Sequence, residues 1–159
     1  MRGATVVRAV LAIMVLVALF ASIGTVRIDR FASALPDWRP YVEAGTTVAL
    51  ALTAVDYRTV DRDVQRILDN ATGVFYDNFK DRSAEFTQVV LDAKSASTST
   101  IAEARPDSHD AGQARVFVAL STTTTNAGQP ISPPRAWRLL ITVQKVGEDY
   151  KASNVEFLR

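Results

Sequence analysis

The chain of 159 residues contains no cysteine. That excludes a disulfide framework, a thiolate metal site and a cysteine nucleophile. It holds a single histidine, His109, and no glycine-rich phosphate loop. An excess of one charge is also missing, since 18 basic side chains stand against 17 acidic ones. The balance is uneven along the chain. Residues 1–30 carry four arginines and one acid, which leaves 14 basic and 16 acidic groups for the remainder, a net of −2. A near-neutral domain lacks the electrostatic footprint of a nucleic-acid binder, so no nucleic-acid partner is expected.

What the chain does have is one long apolar run. Between Arg8 and Arg27 lie eighteen residues without a charge, AVLAIMVLVALFASIGTV. A helix needs about 20 such residues to cross a bilayer core. Ala9, Leu11, Ile13, Leu16, Leu19, Phe20, Ile23 and Val26 are the side chains expected to form the membrane anchor. A secretory signal has a shorter apolar core of about 7 to 15 residues followed by a small-x-small cleavage site. Ser22-Ile23-Gly24 offers a weak version of that site, but the run is longer, and an uncleaved anchor is the expectation. Arg2 and Arg8 precede the run while Arg27, Arg30 and Arg39 follow it, so flanking charge barely decides orientation. A very short N-terminal tail favours a cytoplasmic N-terminus and an extracytoplasmic domain in the cell membrane. Residues 1–30 then form tail and anchor, 31–40 a juxtamembrane linker, and 41–159 one soluble domain. Trp38 and Tyr41, set around Pro40, suit either headgroup-level contact or packing on the domain.

The soluble part reads as helices first and strands second. Ala44, Val48, Ala51, Leu52 and Val55 recur at helical spacing, which predicts a helix over 41–55. Thr59 is placed to cap a second helix, with Asp61 and Asp63 in its first turn where the helix dipole favours acids. The stripe Val60, Val64, Ile67, Leu68, Ala71, Phe75 and Phe79 carries that helix to about Lys80, with a bend or break open at Gly73. Ser83 opens a third helix bearing Phe86, Val89, Val90 and Ala93. After Ala96 the period changes. Ser97 to Arg105 reads as an exposed strand and Pro106 to Gly112 as a turn. Val116, Val118 and Leu120 alternate as a half-buried strand does, and Trp137, Leu139, Ile141 and Val143 alternate most clearly. Gly147-Glu148-Asp149 turns the chain into a last strand in which Val155 and Phe157 share a face. The threonine run 122–125 suits a strand end or hairpin tip. Three helices followed by about four antiparallel strands make an α+β domain, and a bent sheet could wrap the helices as a cone.

No catalytic, cofactor-binding or metal-binding set is expected. Asp107-Ser108-His109-Asp110 gathers triad residue types, but neighbours along a chain do not converge on one point, and a solvated turn accounts for them. Asp56-Tyr57 and Tyr76-Asp77 could serve an isomerase-like site only if acid and tyrosine both faced a cavity. Asp61, Asp63, Asp69, Asp77 and Asp81 lack the spacing and glycine of a calcium loop and read as polar helix faces. Pro133-Pro134-Arg135 presents either a docking corner or the start of a strand.

Several segments together resemble a known family. They are Ala54-Val55-Asp56-Tyr57-Arg58, Asp61-x-Asp63-Val64-Gln65-Arg66-Ile67-Leu68-Asp69 and Ala71-Thr72-Gly73-x-Phe75 in the helices. In the strands they are Pro134-Arg135-Ala136-Trp137-Arg138, Thr142-Val143-Gln144-Lys145-Val146-Gly147 and Val155-Glu156-Phe157. With the single anchor in front, this pattern resembles the Mce-associated membrane proteins of mycobacteria and related actinobacteria. The resemblance implies a nuclear-transport-factor-like cone and a place beside Mce systems, whose permease and substrate-binding subunits import lipids or sterols. It implies a non-enzymatic accessory subunit without cofactor, whose partners are the bilayer and the Mce permease or substrate-binding subunits. It assigns no functional residues. The alternative is a lipid-binding or lipid-handling module that uses the cone cavity. An apolar pocket of about 300 Å³ or more would favour that reading, and a cone filled by Phe75, Phe79 and Phe86 would oppose it.

Overall fold

Proline at the start of a helix costs nothing, because its missing N–H would be unpaired there in any case. Helix α1 accordingly runs Arg39–Thr53 with Pro40 in its first turn, two residues ahead of the expected 41–55. The computed structural model describes residues 37–110, 112–131 and 133–159. The expected anchor residues Ala9, Leu11, Ile13, Leu16, Leu19, Phe20, Ile23 and Val26 lie outside the described residues. Among the described residues, no helix is long and apolar enough to cross a membrane.

The inward face of α1 is Tyr41, Gly45, Val48 and Ala49, all buried. Gly45 sets how near the helix can lie to the sheet. A Cβ there would stand 3.1 Å from both Cβ and Cγ1 of Val116. The missing side chain therefore lets the α1 backbone rest directly on a buried valine.

Helices α2 (Val60–Asp69) and α3 (Gly73–Asp92) divide the second and third helical segments differently from expectation. The break falls at Asn70–Thr72, beside the Gly73 where a bend or break was left open, and not between Lys80 and Ser83. These three residues are held at a sheet edge. The Thr72 N–H donates to the Ala152 carbonyl at 2.8 Å, and the Ala152 N–H donates to the Asn70 carbonyl at 2.8 Å. Gly73 then restarts the helix at φ +55, a left-handed value that favours glycine. At the expected break the hydroxyl of Ser83 instead donates back to the Lys80 carbonyl at 2.7 Å. A serine satisfied in this way sits inside a helix and caps nothing.

The connection from α1 to α2 is clamped by one carboxylate. Asp63 is 6% exposed. Its Oδ2 accepts from the Asp56 N–H at 3.0 Å and from the Thr59 hydroxyl at 3.0 Å. Its Oδ1 accepts from the Arg66 guanidinium at 3.0 Å. Asp63 thus joins the turn, the helix start and the following helical turn. Thr59 contributes its hydroxyl to this carboxylate and makes no side-chain cap on the helix backbone.

Strands β1 (Ser95–Asp110), β2 (Gln113–Asn126), β3 (Gln129–Pro130), β4 (Arg135–Val146) and β5 (Asp149–Leu158) form one antiparallel sheet. The four long strands lie in the order β1-β2-β4-β5, with the two-residue β3 paired to the end of β2. The expected turn at Pro106–Gly112 is corrected here, because β1 continues through Pro106 to Asp110. The proline lies on an edge strand beside a register shift between Pro106 and Ser108, where a missing donor is tolerated. The threonine run lies at a strand end, in the last residues of β2. It pairs with the serines of β1, with Ser97 Oγ 2.9 Å from Thr124 Oγ1 and Ser99 Oγ 2.8 Å from Thr122 Oγ1.

The core lies between α1 and the sheet. Val116, Val118 and Leu120 of β2 and Leu139, Ile141 and Val143 of β4 are buried beneath Val48 and Ala49. Full burial of each such side chain stabilises by about 1.5–3 kcal/mol. A second, smaller cluster of Val55, Val60 and Val90, with Tyr57, Val64 and Phe86 against it, fixes α2 to the end of α3. Helix α3 is the exception to this pattern of burial, since Val90 is the one buried residue among its twenty.

Candidate functional site

The triad-like residue types do not assemble. His109 stands exposed near the end of β1, with its ring edge-on to Trp38 and Tyr41, both at 5.7 Å between centroids. Ser108 Oγ reaches Asp107 Oδ2 at 3.5 Å. Successive side chains on a strand point to opposite faces, so Ser108 and His109 diverge. Tyr41 is buried and meets Tyr150 edge-on at 4.8 Å, while Trp38 packs half-buried on the core. Both aromatics therefore pack on the domain.

The two acid–tyrosine pairs do not share a cavity. Asp56 is ion-paired with Arg58 at the domain surface. The Arg58 guanidinium, and then its backbone N–H, hold the Asp56 carboxyl down at about 2. Tyr57 turns away to pack on the Val55–Val60–Val90 cluster. Tyr76 lies beneath the Lys80 ammonium, 5.6 Å from its ring, and Asp77 is exposed. Among the described residues no group of three potential metal ligands gathers. Of the acids singled out from the sequence, Asp63 belongs to the α1–α2 clamp, and Asp61, Asp69, Asp77 and Asp81 face solvent.

Two of the surface hollows among the described residues bring large aromatic side chains together. The first lies at the end of the sheet where β4 begins. Leu52 and Thr53 of α1, Ser97, Thr122, Thr124, Arg135, Trp137 and Phe157 enclose about 260 Å³. A neighbouring hollow of about 410 Å³ shares Thr122, Thr124 and Arg135 and adds Ile131 and Pro133. The Arg135 guanidinium lies 5.2 Å from the Trp137 ring, and Trp137 meets Phe157 edge-on at 5.7 Å. Ile131 and Phe157 are about half exposed. Arg135 starts β4, as the strand-entry reading of Pro133-Pro134-Arg135 expects.

The second is the larger. It is an open groove of about 520 Å³ along α3, lined by Phe75, Asn78, Phe79, Arg82, Glu85, Phe86 and Val89. Phe75, Phe79 and Phe86 form a chain of half-buried rings with centroids 6.2 and 5.7 Å apart. Phe75 packs against the main core and Phe86 against the smaller cluster, each only partly buried, while α1 supplies the buried side chains that cover the sheet. Periodicity registered these phenylalanines as a core stripe, because a stripe reveals one apolar face and not what covers it.

A family model described as "Uncharacterized protein Rv1363c/MT1408-like" matches residues 4–159. The chain belongs to this family. It is 38% identical over 107 residues to the protein Rv1363c of Mycobacterium tuberculosis (strain H37Rv), a match covering 67% of this chain and 41% of that protein. The chain thus spans about two-fifths of the length of that relative. Among solved structures, this member of the Rv1363c-like family is similar to an IcmL-like type IV secretion system protein from Legionella pneumophila. That likeness has a TM-score of 0.62 at 10% identity and covers 77% of this chain and 93% of that one. The periplasmic domain of DotI matches with a TM-score of 0.62 at 13% identity, over 79% and 98% of the two chains. A ketosteroid isomerase-like protein from Erwinia carotovora matches with a TM-score of 0.52 at 17% identity, over 76% and 95%. At these identities the likeness concerns the fold. It is the nuclear-transport-factor-like cone, three helices on a curved antiparallel sheet, that the sequence led us to expect.

Proposed function

We propose that this Rv1363c-like protein is a non-enzymatic, single-pass membrane accessory subunit that assembles or stabilises an Mce-type lipid or sterol import complex. One observation carries the reading. A single chain joins the uncharged run from Ala9 to Val26 to a domain whose fold is that of the DotI periplasmic domain. On this reading the N-terminus is cytoplasmic, the domain extracytoplasmic, and the Mce permease or substrate-binding subunits are the partners. A tether confines the domain to the membrane surface and raises its effective concentration near such partners. The rim around Arg135, Trp137 and Phe157 has the composition of an interface anchor, rich in arginine and large aromatics.

The alternative, lipid handling inside the cone, has less support. Val48 and Ala49 of α1 pack on the sheet face at Val116 and Ile141, so the hollows of about 260 and 410 Å³ lie at the sheet end and the groove of about 520 Å³ lies along α3, none of them beneath α1 inside the cone. The test is affinity purification of the full chain from its native membranes in mild detergent, with co-purifying proteins identified. Enrichment of Mce permease or substrate-binding subunits is expected. Their absence beside a working bait control refutes the reading, and a co-purifying lipid in place of protein favours the alternative.

A further inference from the structure

The α3 groove points to a partner that none of the preceding considerations name. Its lining, in chain order, is Phe75, Asn78, Phe79, Arg82, Glu85, Phe86 and Val89. Asn78 apart, the order is self-complementary on reversal: two apolar residues, a cation, an anion, then two apolar residues. A twofold interface requires such a patch, because each element must meet its complement on an identical copy. With a rise of about 1.5 Å per residue, an antiparallel pair of α3 helices centred near residue 83 brings three matches level within about 3 Å. Phe75 meets Val89 of the second copy, Phe79 meets Phe86, and Arg82 meets Glu85, each match occurring twice.

The charges support the same occupant. Neither Arg82 nor Glu85 has an ion-pair partner within 4 Å among the described residues. The helix as a whole carries Asp77, Asp81, Glu85 and Asp92 against Lys80 and Arg82, a net of −2. A negative helix is poorly matched to an anionic bilayer surface. The face is apolar enough to want cover, since Val89 is 62% exposed beside the half-buried phenylalanines. We infer that α3 is a self-association surface, and that two copies of this chain pair through it, antiparallel, with reciprocal Arg82–Glu85 ion pairs. The inference is independent of the Mce reading, whose test is a different measurement.

The absence of cysteine makes the test direct. Full chains carrying single Val74→Cys or Asp92→Cys substitutions are co-expressed and treated in the membrane with a short bis-maleimide, with thiol labelling to confirm that both positions are accessible. The antiparallel register sets Val74 of one copy level with position 92 of the other on the flank of the pair, about 8–10 Å apart and within reach of that cross-linker, and sets the two Val74 positions about 27 Å apart, beyond it. A covalent dimer between the two variants is expected, with little from Val74→Cys alone. The charge test is added to the same pair. Arg82→Glu in both copies, or Glu85→Arg in both, is expected to lower the cross-linked yield about tenfold by turning two attractions into two repulsions. Placing Arg82→Glu in one copy and Glu85→Arg in the other restores opposite charges and is expected to restore the yield. A misfolded variant could not be rescued in that way. Self-cross-linking of Val74→Cys, cross-links only to a different protein, labelled thiols with no dimer, or failure of the mixed pair to recover would each overturn the inference.

Discussion

Removal of the Asp63 carboxylate tests the clamp between α1 and α2. At 6% exposure this group holds an N–H, a hydroxyl and a guanidinium at 3.0 Å each. The Arg66 side chain is 49% exposed, so water replaces that partner readily and its share is small, about 0.5 kcal/mol. The Asp56 N–H and the Thr59 hydroxyl sit in the part-buried turn and lose their acceptor outright. A buried donor left unsatisfied costs about 1–3 kcal/mol. Asp63→Ala is therefore expected to destabilise by about 3 kcal/mol in total. Asp63→Asn keeps the shape and one carbonyl oxygen, which can still accept from the Asp56 N–H and Thr59, while its amide NH2 cannot accept from Arg66, whose exposed guanidinium turns to water. Its cost is expected near 1 kcal/mol, mostly the lost charge assistance. Thermal melts of the full chain in mild detergent, followed by tryptophan near-UV circular dichroism, read both values. For a domain of this size, about 4 °C in Tm corresponds to 1 kcal/mol. An alanine variant within about 2 °C of the parent, or an asparagine variant as damaging as alanine, would refute the assignment of this carboxylate as an acceptor hub.

Gly45→Ala sets a gain in helix propensity of about 1 kcal/mol against overpacking of about 1–3 kcal/mol. Since Val116 is fully buried and 3.1 Å from the new methyl, a net loss of about 1 kcal/mol is expected, and a raised Tm would show that α1 can shift away. Gly73→Ala is expected to cost about 1–2 kcal/mol through its φ of +55 alone, because the nearest atom to a new methyl is Ser153 Cβ at 3.9 Å. Gly73→Asn should cost less, since asparagine tolerates that conformation, and equal losses would point to a steric cause. Asp56 contributes stability that is complete above the unfolded carboxyl value of about 3.9 and lost as pH falls toward about 2, because pairing with Arg58 lowers its folded value. Asp56→Asn should flatten the pH dependence of Tm between about 4 and 2, and an unchanged slope there would assign the acid sensitivity to other groups.

The alternating strands were legible because their periodicity is local. Val116, Val118 and Leu120, like Leu139, Ile141 and Val143, face the core at every second position, and both sets are buried as their spacing implies. The order of three helices before the sheet was legible for the same reason. A break beside Gly73 was left open because glycine is a poor helix former, but its fixing at Asn70–Thr72 was not legible, because those residues pair with Ala152, eighty residues later in the chain. The extension of β1 through Pro106 was equally hidden. Turn-forming residues describe what a free segment prefers, whereas an edge beside β2 supplies enough pairing to override that preference. At the candidate sites, Arg135 and Trp137 were visible as residue types, but their stacking depends on which way β4 faces.

The amino-acid order alone settled the matters that depend on composition and short-range spacing: an uncharged stretch of bilayer length, a near-neutral domain, the class α+β, and the absence of cysteine chemistry. Tertiary packing decided which apolar stripe was covered. The sheet has one concave face, and α1 takes it because Gly45 allows the closest approach. Helix α3, with three phenylalanines in its stripe, is left with that stripe only half covered. Hydrophobicity is read residue by residue, but burial is a competition among elements for one surface, and only the folded chain shows which element wins.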